Sequence, residues 1–219
     1  TTILIFTMKL KEKILIKAVE LFNERGVSST SPNQIAAELN ISVGNLTYYY
    51  KTKAILIKEV YVYMSNNSLE FVKLTGYMTL DDFRQIMIRF RDFKMKYSFF
   101  FDDIPFIVRN YPEVGKLFEE INAKHFKNAR LLFDHYIETY RFIPEKDGIN
   151  YDLLTHNIWS ITAFWNIQSM IIAPSMILEK QMDLVDMAWY MILPYLTQKG
   201  KEEYDQINDF LTNHKNRLL

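Results

Sequence analysis

The chain has 219 residues, enough for one large or two modest domains, and its 49% hydrophobic and 15% aromatic content suits a well-filled core and argues against disorder. It contains no cysteine, which excludes disulfides, thiolate metal sites and cysteine nucleophiles. Net charge is zero, yet residues 1–57 hold seven lysines and arginines against four acids, and the remainder carries the opposite excess. Such mild polarity fits a head that faces a polyanion on a neutral remainder.

Six glycines and six prolines are few for a loop-rich chain, and apolar spacing points to helices nearly everywhere. Residues 1–7, TTILIFT, are too short and lack the basic leader of a secretory signal. Met8 suits a native start, with residues 1–7 as an extension; packing of Ile3 to Phe6 on the rest of the protein is an equal alternative.

The first helix is expected from about Lys9 to Arg25, with Ile14, Ala18, Leu21 and Phe22 on one face and Gly26 as a C-terminal cap. Ser31 and Pro32 open a second, short helix carrying Ile35, Ala36 and Leu39. Asn40 tolerates the left-handed conformation at its end, Ile41 turns inward, and Ser42 caps a third helix that carries Leu46 and reaches Tyr48, Tyr49 and Tyr50. Periodic segments follow over residues 53–74 and, after the capping pair Thr79 and Asp82, through Phe83, Ile86, Met87, Phe90 and Tyr97.

Asp102 or Asp103 suits the cap of a short helix holding Pro105, and Pro112 starts the clearest amphipathic helix, running to about Tyr140. Asn150 or Asp152 caps an almost uniformly apolar helix that ends near Ile172, before Pro174. The most apolar run, Ile158 to Leu178, is broken by Ser160, Asn166, Gln168, Ser169 and Pro174, so no membrane span is predicted. One further helix is expected from Asp183 to about Gly200, and a polar one from Lys201 to Arg217.

Three short helices, the second pair joined by a tight turn, outline a helix-turn-helix: SPNQIAAELN, then IS, then VGNLTYYYK. Ala36 and Ala37 are small enough for two helices to cross closely, and Gly44 costs about 1 kcal/mol relative to alanine in a helix, so its backbone is expected to approach something. Ser42, Asn45 and Thr47 are short polar side chains that reach base edges or phosphates, and Lys51 and Lys53 lie where backbone charge would sit. Among the tyrosines, Tyr50 is expected to pack inward, with Tyr48 and Tyr49 facing DNA.

Residues 18–56 resemble the DNA-binding domain of TetR-family regulators through Ala18, Leu21, Phe22, Gly26, Thr30, Ile35, Ala36, Ser42, Gly44, Leu46, Tyr49, Tyr50 and Lys53. Two positions depart from the family pattern: Val43 stands where a lysine is frequent, and Thr47 where a tyrosine is. The resemblance implies an all-α homodimer with an N-terminal three-helix domain (residues 8–54) and a larger helical effector-binding and dimerisation domain (residues 55–219), about nine to ten helices in all. Operator contacts are then expected from Thr30, Ser31, Asn33, Ser42, Val43, Gly44, Asn45, Thr47, Tyr48, Tyr49, Lys51 and Lys53.

Phe100, Phe106, Tyr111, His125, Trp159, Trp165 and Met170 are candidates for an apolar effector pocket, although aromatic stripes at this spacing also make ordinary core. His125 suits either a core histidine or a polar contact of that pocket, and His135, His156 and His214 show no metal-ligand spacing; neither metal nor cofactor is expected. The doubly apolar helix around Ile161, Phe164 and Gln168, with Trp189 and Ile192 of the next, is the expected dimer interface; a central helix within one subunit is the alternative. The expected protein is a cytoplasmic repressor that leaves a near-palindromic double-stranded operator when a small, largely apolar effector binds. An effector-independent regulator or activator with a filled C-terminal core is the alternative, and no nucleophile or convergent acid–base pair favours an enzyme.

Overall fold

The computed structural model describes residues 9–66, 68, 76–172 and 183–215, excepting the side chains of residues 166, 169, 170, 172 and 212–215. The protein is all-α. Eleven α-helices are present among the described residues: α1 (Leu10–Arg25), α2 (Pro32–Glu38), α3 (Val43–Tyr49), α4 (Lys53–Asn66), α5 (Leu80–Lys96), α6 (Ser98–Asp102), α7 (Ile104–Asn110), α8 (Pro112–Glu138), α9 (Tyr151–Ile172), α10 (Leu184–Ile192) and α11 (Gln198–Lys215).

The chain divides into two compact units, residues 1–68 with 96–120 and residues 69–95 with 121–219, and the division falls inside α5 and α8. Residue 54, the boundary expected from sequence, lies within the first unit, because α4 packs on α1. In that unit Ile14, Ala18, Phe22, Ile35, Leu46, Leu56 and Val60 are all but inaccessible and form one core. Gly26 leaves α1 at φ 79°, a conformation that favours glycine, and its N–H closes the helix on the Phe22 carbonyl at 2.9 Å.

Asn23 joins α1 to the start of α6. Its amide donates to the Lys96 carbonyl at 2.9 Å and its oxygen accepts from the Phe99 N–H at 3.0 Å. Phe100 then meets Tyr61 of α4 and Phe118 of α8 at ring distances of 5.0 and 5.3 Å. The five residues of α6 were not anticipated as a helix; its buried face is the consecutive triplet Phe99–Phe101, which has no helical period to read.

The second unit closes around Leu80, Phe83, Phe133, Tyr136, Phe142, Tyr151, Trp189 and Ile192. Thr79 and Asp82 cap α5 reciprocally, the Thr79 N–H donating to Oδ2 of Asp82 at 2.7 Å. Of the two candidate caps for α9, Asn150 serves: its Oδ1 accepts from the Leu153 N–H at 2.9 Å. Glu203 of α11 accepts from the Leu80 N–H at 2.7 Å and from Nε of the buried Arg141 at 2.6 Å, tying three distant segments together.

The single helix expected from Asp183 to Gly200 is two. Pro194 has no N–H to continue α10, so residues 193–195 tighten into a 3₁₀ turn. Leu196 then bridges Phe142, and the Thr197 hydroxyl oxygen accepts from the Gly200 N–H at 3.2 Å to start α11.

Gly200 is where α11 passes the backbone of Arg141: a Cβ there would lie 2.3 Å from the Arg141 carbonyl oxygen, which itself accepts from the Thr197 N–H. Gly200→Ala is therefore expected to cost about 1–3 kcal/mol as an overpacked contact, measured as a lower urea midpoint with secondary structure retained at zero denaturant.

Candidate nucleic-acid interface

The helix-turn-helix is built from local signals that hold. Ser31 forms a full capping box with Gln34 at the start of α2. Asn40 takes a left-handed φ of 53°, and the Ile41 N–H returns to the Ala36 carbonyl at 3.0 Å, which makes the turn. The Ser42 hydroxyl oxygen then accepts from the Asn45 N–H at 3.1 Å to open α3.

A seven-residue helix is unstable alone, so α3 depends on its anchors. Leu46 is fully buried, and Tyr50 sits in the core with its hydroxyl donating to the Lys11 carbonyl at 3.1 Å. Burial pushes the Tyr50 phenol well above its ordinary pKa, so it stays a neutral donor. With positions 46 and 50 fixed inward, positions 44, 45 and 48 point away from the core, and Val43 and the half-buried Thr47 flank that outward face.

That face is open. Tyr48 is 80% exposed, Val43 40% and Tyr49 38%, with Tyr48 and Tyr49 meeting edge to face at 5.1 Å. Asn33, Ser42, Gly44, Asn45 and Lys51 are also exposed. The only acid between Ser31 and Lys53 is Glu38, and it is paired with Arg25 at 3.3 Å. No unpaired carboxylate therefore repels a polyanion from this segment.

Two expected contact residues behave differently. Thr30 is buried, its hydroxyl donating to the Gly26 carbonyl at 2.9 Å and lying 3.3 Å from that of Leu21; it braces the α1–α2 loop and presents no side-chain surface. Lys53 is half-buried, donates to the Ser28 carbonyl at 3.2 Å, and has its pKa lowered by burial. It locks the start of α4 to that same loop while Lys51 stays free in solvent.

The effector-pocket candidates fall in separate units. Phe100, Phe106 and Tyr111 belong to the first, where Phe100 is fully buried in its aromatic stack. His125, Trp159 and Trp165 belong to the second, and the Met170 side chain lies outside the described residues. Burial lowers the pKa of the His125 imidazole, and the Trp159 indole donates to Oδ1 of Asn122 at 3.0 Å.

For the expected dimer interface, Trp189 and Ile192 are corrected: both are core of their own unit and share no surface. The exposed residues of α10 are Asp186 and Tyr190, the latter 64% exposed. On α9, Leu153, Asn157, Ser160, Phe164, Gln168 and Ile171 form an exposed stripe at helical spacing, with Ile161 half-buried beside it. Phe164 and Gln168 of the expected interface lie on this stripe.

Residues 14–60 match the family model described as bacterial regulatory proteins, tetR family, and residues 60–204 match the TetR model described as a bacterial transcriptional repressor. A stretch of 50 residues, 23% of the chain, is 40% identical to the probable HTH-type transcriptional regulator YttP of Bacillus subtilis (strain 168); the match spans about a quarter (24%) of that relative's length. A solved TetR-family transcriptional regulator from Marinobacter aquaeolei VT8 has a TM-score of 0.79 at 22% identity, over 93% of this chain and 99% of that one. A solved SmeT–triclosan complex has a TM-score of 0.60 at 14% identity, over 86% of this chain and 92% of that one. At such identities the two structures speak for the fold.

Gly44 carries a stability consequence. A Cβ at this position would meet only the Ser42 hydroxyl, at an ordinary 3.7 Å, so nothing within the chain requires glycine. Gly44→Ala is expected to raise folding stability by about 0.5–1 kcal/mol, read as a higher urea midpoint.

Proposed function

Because this chain belongs to the TetR family of bacterial transcriptional regulators, we propose that it is a homodimeric, cytoplasmic repressor that occupies a near-palindromic operator and releases it on binding a small, largely apolar effector. The observation that carries this reading is the outward face of α3: Val43, Gly44, Asn45 and Tyr48 are exposed with Thr47 at their edge, Lys51 lies beside them, and the segment holds no unpaired acid.

The face does two kinds of work. Tyr48, Tyr49 and Ser42 offer hydroxyls, and Lys51 a charge, to phosphate oxygens, which set register without reading sequence. Asn33 in the first turn of α2 and Asn45 in the first turn of α3 offer paired donor and acceptor groups. Ser31 and Lys53 act at one remove, by capping α2 and by tying the start of α4 to the α1–α2 loop.

Dimerisation is supported by the α9 stripe, where Phe164 and Ile171 leave apolar surface in water, and by Tyr190 on the adjoining α10. A two-fold axis through these helices would pair two recognition helices about one turn of DNA apart. An effector is supported by the family and by the likeness to a neighbour solved with triclosan. The closed aromatic stack of Phe100 with Tyr61 and Phe118 favours the second reading, a regulator whose core is already filled. A thermal shift produced by a small apolar compound, with loss of operator binding at the same concentration, distinguishes the two.

The direct test selects duplexes from a random pool with the purified protein and then titrates the recovered sequence at several salt concentrations. An inverted repeat bound by two copies is the expected result, and no enrichment overturns the reading. Lys51→Ala should weaken specific and non-specific duplexes alike and lower the salt slope by about one per subunit. Tyr48→Ala should weaken binding without moving the urea midpoint, since its ring touches little beyond Tyr49 and solvent.

A further inference from the structure

From the groups left free on α3, we infer that this regulator reads thymine methyl groups in its operator through Val43 and the methyl of Thr47, with Gly44 between them admitting the base edge. The inference rests on the operator-binding reading above and specifies the chemistry of the sequence it recognises.

Val43 and Thr47 are one helical turn apart, so their side chains stand side by side at the edge of the outward face, Val43 exposed and Thr47 half-buried. Val43 is an aliphatic group held 40% exposed by the turn that Ser42 caps, and nothing polar on it demands a partner. Thr47 would ordinarily bring a hydroxyl donor. Here that proton is spent within the helix: Oγ1 lies 3.1 Å from the Val43 carbonyl oxygen and 3.2 Å from that of Gly44. What Thr47 has left to offer an approaching base is its methyl group and an oxygen that can accept but not donate. The face therefore presents an apolar group at each of positions 43 and 47.

Gly44 lies between these groups. Its missing Cβ is not forced by the chain, since the nearest atom would be the Ser42 hydroxyl at 3.7 Å. A helical glycine with no internal reason marks a place where an outside group comes close to the backbone. In the major groove each base edge shows hydrogen-bonding atoms, and thymine alone adds an apolar one, its C5 methyl. Pressing Val43 onto an amino or carbonyl edge would strip water from that group and return no hydrogen bond. A thymine methyl loses nothing by being covered. The chemistry of this face therefore matches A·T pairs whose thymines lie under positions 43 and 47.

Deoxyuridine tests this directly, because it pairs as thymine does and lacks only the C5 methyl. Each thymine of the selected half-site is replaced in turn, symmetrically in both half-sites, and the affinity of the full-length protein is measured. The wild-type protein should lose about fourfold for each methyl it covers, from the ~0.8 kcal/mol of one buried methylene-sized group. Val43→Ala and Thr47→Ser, the latter keeping the hydroxyl, should each bind the thymine and uracil duplexes alike at their own position.

Unchanged wild-type affinity across every uracil substitution overturns the inference while leaving the operator-binding function intact. Full discrimination retained by both variants also overturns it, since the methyls would then be read by other residues. Failure to recover any duplex overturns the function itself, and the inference with it.

Discussion

The geometry of the interface depends on the inward anchoring of one short helix. A segment the length of α3 cannot hold helical conformation in water, because nucleation costs more than seven residues return. Leu46 and Tyr50 supply the difference by burial in the core that α1 and α4 also enter, and the Tyr50 hydroxyl fastens the end of α3 to the Lys11 carbonyl. With those two positions fixed, the direction of every other side chain follows from the helical repeat. The outward face is a consequence of the inward one.

The neighbouring residues serve that anchoring more than they serve contact. Thr30, Ser31 and Lys53 lie in the segment that resembles DNA-binding domains, yet each spends its polar group on the chain itself. This is the expected division in a small motif. A rigid scaffold of buried or locally bonded groups carries a few free ones, and a partner meets only those. Asn23 extends the scaffold to residues 96–99, so α1 is held by side-chain hydrogen bonds as well as by apolar packing.

The second unit solves a different problem, which is to close helices far apart in sequence. Several of its polar links are charge-assisted: Glu203 reaches both the start of α5 and the buried Arg141, whose guanidinium also donates to the Tyr77 hydroxyl at 2.5 Å. Lys94 is likewise buried, with its ammonium donating to the Thr162 and Ala163 carbonyls of α9. Buried cations of this kind are held only where several acceptors converge. They mark the parts of this unit that tolerate substitution least.

The sequence by itself determined the helix order and the helix-turn-helix, because caps and periodicity act over three or four residues. Ser31 and Ser42 open their helices, Gly26 and Asn40 adopt left-handed conformations, and Tyr50 packs while Tyr48 does not, all readable from spacing. The tertiary structure alone decided which face each long-range neighbour covers. Trp189 is core and Tyr190 is surface, although adjacent aromatic residues in an apolar helix look alike until α9 and the Phe83 ring take one side. Thr30 read as a contact until the Leu21 and Gly26 carbonyls claimed its hydroxyl. Pro194 itself ends α10, but that Leu196 and Thr197 then meet Phe142 and Arg141, some 50 residues earlier, was decided by the fold. Local pattern records a residue's own conformational preference. Burial is a property of pairs, and the partner's position is written elsewhere in the chain.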